Sequence, residues 1–116
     1  MKKEEQIRIG LDGFLVTILP ATGGKIASIL WHECEMLQQP LIYDFSRSRS
    51  MRFDASDASG WDECLPSVAP CELTTTEGLV TVPDHGDLWR ISWEILNATA
   101  STCTLRAQCF SLPLEL

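Results

Sequence analysis

Apolar and polar positions alternate with a period of two along much of this chain, and no stretch carries the 3.6-residue stripe of an amphipathic helix. Residues 6–10 (QIRIG) and 14–19 (FLVTIL) are β-rich runs on either side of Asp12-Gly13, a dipeptide that favours a tight hairpin. The segment 20–24 (PATGG) reads as a turn, because proline lacks the N–H a central strand needs and glycine accepts positive φ. A third strand is expected over 25–31 (KIASILW) and a short one around 35–37. Residues 44–60 are serine-rich, carry arginines and lack periodicity, which predicts a long loop of the kind that tends to be functional or mobile.

The last third is the most regular. Trp89, Ile91, Trp93 and Ile95 alternate with Arg90, Ser92 and Glu94, and Cys103, Leu105, Ala107 and Cys109 alternate with Thr102, Thr104, Arg106 and Gln108. Two strands with one dry face each, joined through the polar residues 97–101, predict an antiparallel hairpin. About seven or eight short strands follow from the whole pattern, and the fold class is all-β. The dry faces of so few strands need covering, and the apolar run FSLPLEL ends without a polar cap. The expectation is that residues 1–116 form the N-terminal part of one larger domain, with a homodimer through the C-terminal edge as the alternative.

Composition narrows the partners. At 116 residues, 45% hydrophobic and 22% charged, the chain has the balance of one ordinary globular domain. A net charge of −7 argues against nucleic acid or an anionic membrane surface. MKKEEQIRIG has no apolar run behind its lysines, and no stretch reaches membrane-spanning length, so the expectation is a cytoplasmic protein. The five cysteines (Cys34, Cys64, Cys71, Cys103, Cys109) include no CxxC pair, and an odd count indicates neither a disulfide framework nor a zinc knuckle. Cys103 and Cys109 fall on a dry strand face as small core residues. Cys64 follows Asp62 and Glu63, whose charge disfavours a thiolate, so a catalytic cysteine is not indicated.

Candidate chemistry concentrates between Gly60 and Trp93, where Asp62, Glu63, Asp84, His85 and Asp87 lie among Trp61, Trp89 and Trp93, with Pro66, Pro70 and Pro83 stiffening the loops. Carboxylates accept hydrogen bonds from hydroxyls, and aromatic faces cover the C–H patches of a sugar ring. Trp61, isolated in a loop, is the stacking candidate, whereas Trp89 and Trp93 share a dry face and read as core. Asp62 and Glu63 read equally as sugar ligands or as caps of the turn before Pro66. Arg52 reads first as a solvated side chain and second as a contact to a sugar hydroxyl or a phosphate. Asp84 and Asp87 flank His85 and can orient its ring. A metal site of Asp84, His85 and Asp87 with Asp62 or Glu63 is a third, thinner possibility.

These residues carry a resemblance. PATGGKIASILW is similar to the early strand-turn-strand signature of the galactose mutarotase-like superfamily, and GWDECLPSVAPC followed by VPDHGDLW resembles the next two blocks of its aldose 1-epimerase-like members. The resemblance implies a large antiparallel β-sandwich, about twice this length or more, that interconverts the α and β anomers of an aldose bound in an open cleft. It implies no cofactor. It places the catalytic histidine and glutamate beyond Leu116, and it carries His85, in His85-Gly86, over as a substrate-binding residue. Asp84-His85-Gly86-Asp87 departs from the family's more usual Leu-His-Gly-Gly block, which marks a divergent branch and leaves a non-catalytic carbohydrate-binding domain as the alternative.

Overall fold

The computed structural model describes residues 5–116. Eight strands are arranged in three antiparallel sheets, as the all-β expectation requires: β1 (Ile7–Leu11), β2 (Phe14–Leu19), β3 (Lys25–Trp31) and β4 (Cys34–Glu35) in one, β5 (Cys71–Thr75) with β6 (Gly78–Val82), and β7 (Glu94–Ala98) with β8 (Cys103–Arg106). Among the described residues no helix is long and apolar enough to cross a membrane.

Two tight turns set the register of the first sheet. Asp12 (φ 51°) and Gly13 (φ 89°) both take positive φ between Leu11 and Phe14, the mirror-image geometry that matches strand twist. His32 (φ 45°) and Glu33 (φ 68°) repeat it between β3 and β4 without a glycine. His32 is therefore a turn residue, exposed, with its ring edge-on to Trp31 at 4.0 Å.

One irregularity positions everything that follows. The β2–β3 register shifts after Thr17, where Ser28 and then Ile26 are the partners, so Ala27 is left over as a bulge. On its other edge Ile26 exchanges backbone hydrogen bonds with Trp61, at 3.0 and 2.9 Å. A side chain at Gly60 would collide with the Ile26 carbonyl, and the backbone there has φ 61°, so glycine is what permits this approach.

The chain from Trp89 to Trp93 differs from the strand its alternation predicts. Leu88–Arg90 is a single 3₁₀ turn, and β7 starts only at Glu94. The reason is Arg90, a polar position in the pattern that is nevertheless buried and bonded inward. The turn is docked on the PATGG segment: Gly23 N–H donates to Ile91 O (2.8 Å) and Trp93 N–H to Pro20 O (2.8 Å). Leu88, Ala107 and Cys109 form a small buried cluster, with Leu65, Ile91 and Trp93 packed against it. Trp89 is fully buried and Trp93 half-buried, its Nε1–H donating to Leu88 O at 2.9 Å. Cys109 is buried and Cys103 half-buried, and burial raises both thiols above their ordinary range. Residues 107–109 pair with 114–116 through Ala107, Leu116 and Cys109 hydrogen bonds, so the chain's own final residues cover part of the edge expected to be open.

Candidate functional site

The loop 44–60 is irregular apart from a single 3₁₀ turn at Phe53–Ala55. Side chains rather than a ladder hold it, and three cations do most of the holding. Lys25, fully buried at the start of β3, reaches Asp62 Oδ2 at 2.7 Å and Asp57 Oδ2 at 3.2 Å and donates to Ser59 O. Arg47 donates to Asp57 Oδ1 (2.5 Å), Trp89 O (3.2 Å) and Ser46 O (3.1 Å). Arg90 donates to Arg49 O (2.9 Å) and to both Asp84 O and Asp84 Oδ1 (2.8 Å each). Arg47 and Arg90 also lie over the Trp89 ring, 5.5 and 4.6 Å from its centroid, where a guanidinium is attracted to the aromatic face.

The two buried aspartates of this network differ. Burial pushes the Asp57 carboxyl up, but hydrogen bonds from Ser59 and Arg47 and the charges of Lys25 and Arg47 outweigh it, and its pKa is lowered. For Asp62 burial wins and its pKa is raised, despite Lys25. The geometry agrees: Asp62 Oδ1 is buried, has no hydrogen-bond partner, and lies 4.0 Å from Arg47 Nη2.

Asp62 lines a recess of about 260 Å³ together with Gln38, Phe53, Ser59 and Cys64. One wall is Phe53, whose ring stacks on His85 at 3.9 Å and 10° and meets Trp89 edge-on at 5.1 Å. A second recess of about 400 Å³ adjoins it, sharing Gln38 and Ala58. His85 has φ 58°, and its loop is fastened by His85 N–H to Val68 O (2.5 Å) and Asp87 N–H to Leu65 O (2.7 Å). A side chain at Gly86 would strike the Leu65 carbonyl, so the Asp-His-Gly-Asp loop needs its glycine to lie against the Leu65-Pro66 segment.

Asp84 orients His85. Its Oδ2 lies 3.3 Å from His85 Nδ1 and accepts the Phe53 N–H at 3.2 Å, while Oδ1 accepts from Arg90. Burial raises the Asp84 pKa, but these three partners together lower it, so the carboxylate is ionised at neutral pH. An ionised acceptor at Nδ1 favours the tautomer with the proton there and leaves Nε2 as the ring's free polar atom. The imidazole is 34% exposed.

The expected site residues thus separate. Phe53 links two of them: its ring stacks on His85 and it lines the recess that Asp62 also lines, whereas His85 is not itself among the residues lining that recess. Trp61 is 54% exposed and bonded to Ile26 through its backbone. Glu63 is half-buried and makes no ion pair among the described residues. Arg52 points to solvent, with a 78% exposed side chain paired to Asp54 at 2.5 Å. Asp87 does not orient His85. Its buried Oδ2 accepts from Phe110 N (2.9 Å), Ser111 N (2.8 Å) and Ser111 Oγ (2.7 Å). Asp84, His85 and Asp87 therefore do not converge, and no group of three or more His, Cys, Asp or Glu able to hold a metal occurs among the described residues. Phe53, Lys25, Arg47, Asp57 and Arg90 were not singled out by sequence reasoning. The usable signals are an aromatic residue within a serine-rich loop and charged residues set into apolar strand patterns.

Neither a protein-family model, nor a curated protein, nor a solved structure matches the chain.

Proposed function

We propose that this chain is the N-terminal, sugar-binding part of an aldose 1-epimerase-like β-sandwich protein and that its ligand is an aldose. The observation that carries the reading is the Phe53 corner: one aromatic ring is stacked on His85 and walls the recess lined by Asp62, whose Oδ1 has no hydrogen-bond partner. A polyol needs such a combination of free acceptor, imidazole edge and flat apolar wall. The sequence blocks that resemble the family, Gly60–Cys71 and Val82–Trp89, supply Asp62 and His85 to this corner, while Phe53 comes from the loop between β4 and β5. Exposed apolar side chains, among them Leu11, Phe14, Trp31, Leu41, Ile42 and Tyr43, further support membership of a larger sandwich.

Anomer exchange needs a base at the anomeric hydroxyl and an acid at the ring oxygen, with the roles reversed on the return. In this reading His85 binds a sugar hydroxyl through Nε2, Asp62 accepts a second, and the acid–base step is assigned to none of the residues 1–116. A second reading, a non-catalytic carbohydrate-binding domain, uses the same contacts, with Asp84 as the fixed acceptor that orients His85.

The test is titration of the chain with glucose and with galactose, followed by amide-correlation NMR. Saturable shifts at Phe53, Asp62 and His85 are expected, and His85→Ala should weaken binding at least about tenfold, the scale of one lost hydrogen bond to a polar ligand, while keeping a dispersed spectrum. Equal affinity in that variant would overturn both readings. Polarimetry of fresh α-glucose tests the assignment of the acid–base step: binding without acceleration over buffer is expected of residues 1–116, and faster mutarotation would place a catalytic group within them.

A further inference from the structure

A cleft of about 770 Å³, sharing no lining residue with the Phe53 recess, is lined by Arg47, Arg49, Arg90 and Arg106 with Glu94 and Glu115. Four of the chain's six arginines are thereby gathered at one place in a protein of net charge −7. Their partners divide them into two kinds. Arg47 and Arg90 are buried, neutralised by Asp57 and Asp84, and form a rigid wall. Arg49 is exposed and has no carboxylate in ion-pair range among the described residues. Its guanidinium lies over the Phe110 ring at 4.9 Å, which holds the plane in place and leaves its N–H edge available. Arg106 is paired with Glu94 at 2.7 Å, but both side chains are exposed, and such a surface bridge is weak enough to exchange for a better acceptor. On the wall itself Arg90 Nε is buried without a hydrogen-bond partner.

We infer that this cleft is an oxyanion-binding site for a small organic phosphate or carboxylate, with Arg49 and Arg106 as its two ligating cations. Guanidinium forks match both groups through paired N–H donors, so the chemistry the cleft recognises is the oxyanion itself. Glu94 and Glu115 oppose it, by placing like charges among the lining residues, and of the two Glu115 has no ion-pair partner among the described residues. The site is independent of the sugar reading. It shares Arg47 and Arg90 with the network behind the Phe53 corner but neither of its two ligating arginines, and it stands or falls on anions carrying no sugar.

Inorganic phosphate and malonate are the probes, titrated at constant ionic strength against the intact chain by calorimetry and amide NMR. Saturable binding that perturbs Arg49, Arg106 and Phe110 is expected, weakening as salt is raised. Arg49→Gln and Arg106→Gln, both at exposed positions, should each lower affinity at least about tenfold, and Glu115→Gln should raise it a few-fold. A preference for phosphate or for malonate tells which oxyanion the cleft takes. No saturable binding of either probe, or equal affinity in Arg49→Gln, would overturn the site. The rise with Glu115→Gln distinguishes ligation from a merely structural role, because removing a rim carboxylate has no structural reason to improve binding.

Discussion

Asp57 is the residue on which most of the loop depends. Its side chain is buried and is shared between two cations, Lys25 and Arg47, which otherwise have only Asp62 and carbonyls to turn to. Removing one partner of a buried ion pair leaves an uncompensated charge, and the typical loss is about 3–5 kcal/mol. Asp57→Ala should therefore lower the urea-unfolding free energy by roughly that amount. Arg52→Ala, which removes an exposed bridge to Asp54, should change it by less than about 0.5 kcal/mol. Equal losses in the two variants would mean that the network is not what holds the loop. At this scale the sequence was only half legible. Asp62 and His85 stood out because they sit in a dense polar-aromatic stretch, whereas Phe53 and Asp57 gain their meaning from partners 32 and 32 residues away, His85 and Lys25.

The turn 20–24 matters at the scale of elements. Gly23 (φ 65°) lies against the Trp89 backbone so closely that an added Cβ would overlap it, and its N–H holds Ile91. The turn is thus a dock for the Leu88–Arg90 segment as well as a reversal between β2 and β3. Gly23→Ala combines a strained φ with a backbone collision and should cost at least about 2 kcal/mol. Gly78 also has positive φ (117°), but nothing lies within 4 Å of the added atom, so Gly78→Ala should cost only about 1 kcal/mol. Thermal unfolding of the two variants side by side checks the difference. The hairpin at Asp12-Gly13 was readable from its dipeptide because turn chemistry is local. The strand expected from Trp89 is instead a 3₁₀ turn, because a period-two pattern does not reveal that Arg90 is drawn inward by Asp84.

For the whole molecule, the carboxylates set an acid response. Asp57 and Asp84 have folded-state pKa values below the ordinary one, so in acid the unfolded chain binds more protons than the folded chain. Their contribution is complete above about pH 4 and is lost as pH falls through the lowered folded values. Asp62 runs the other way: its raised pKa means that folding favours its protonated form, and its contribution falls as pH rises from the ordinary value through the raised one. Urea midpoints followed from neutral pH down to about pH 2 should show the gap between the native chain and Asp57→Asn closing below about pH 4. A gap of constant width would remove Asp57 as the titrating group.

What the sequence determined by itself was the all-β class, the two-residue hairpin, the long irregular loop and the dense stretch that holds the candidate site. Each of these follows from interactions between near neighbours in the chain. What only the tertiary structure decided was which charges are buried, which of the marked residues meet, and that four arginines line one cleft. Those outcomes depend on a bulge at Ala27 that admits Trp61 to the edge of β3, and on the pairing of cations with carboxylates tens of residues apart. Pairing over such distances is set by how the elements pack, and hydrophobic periodicity carries no record of it.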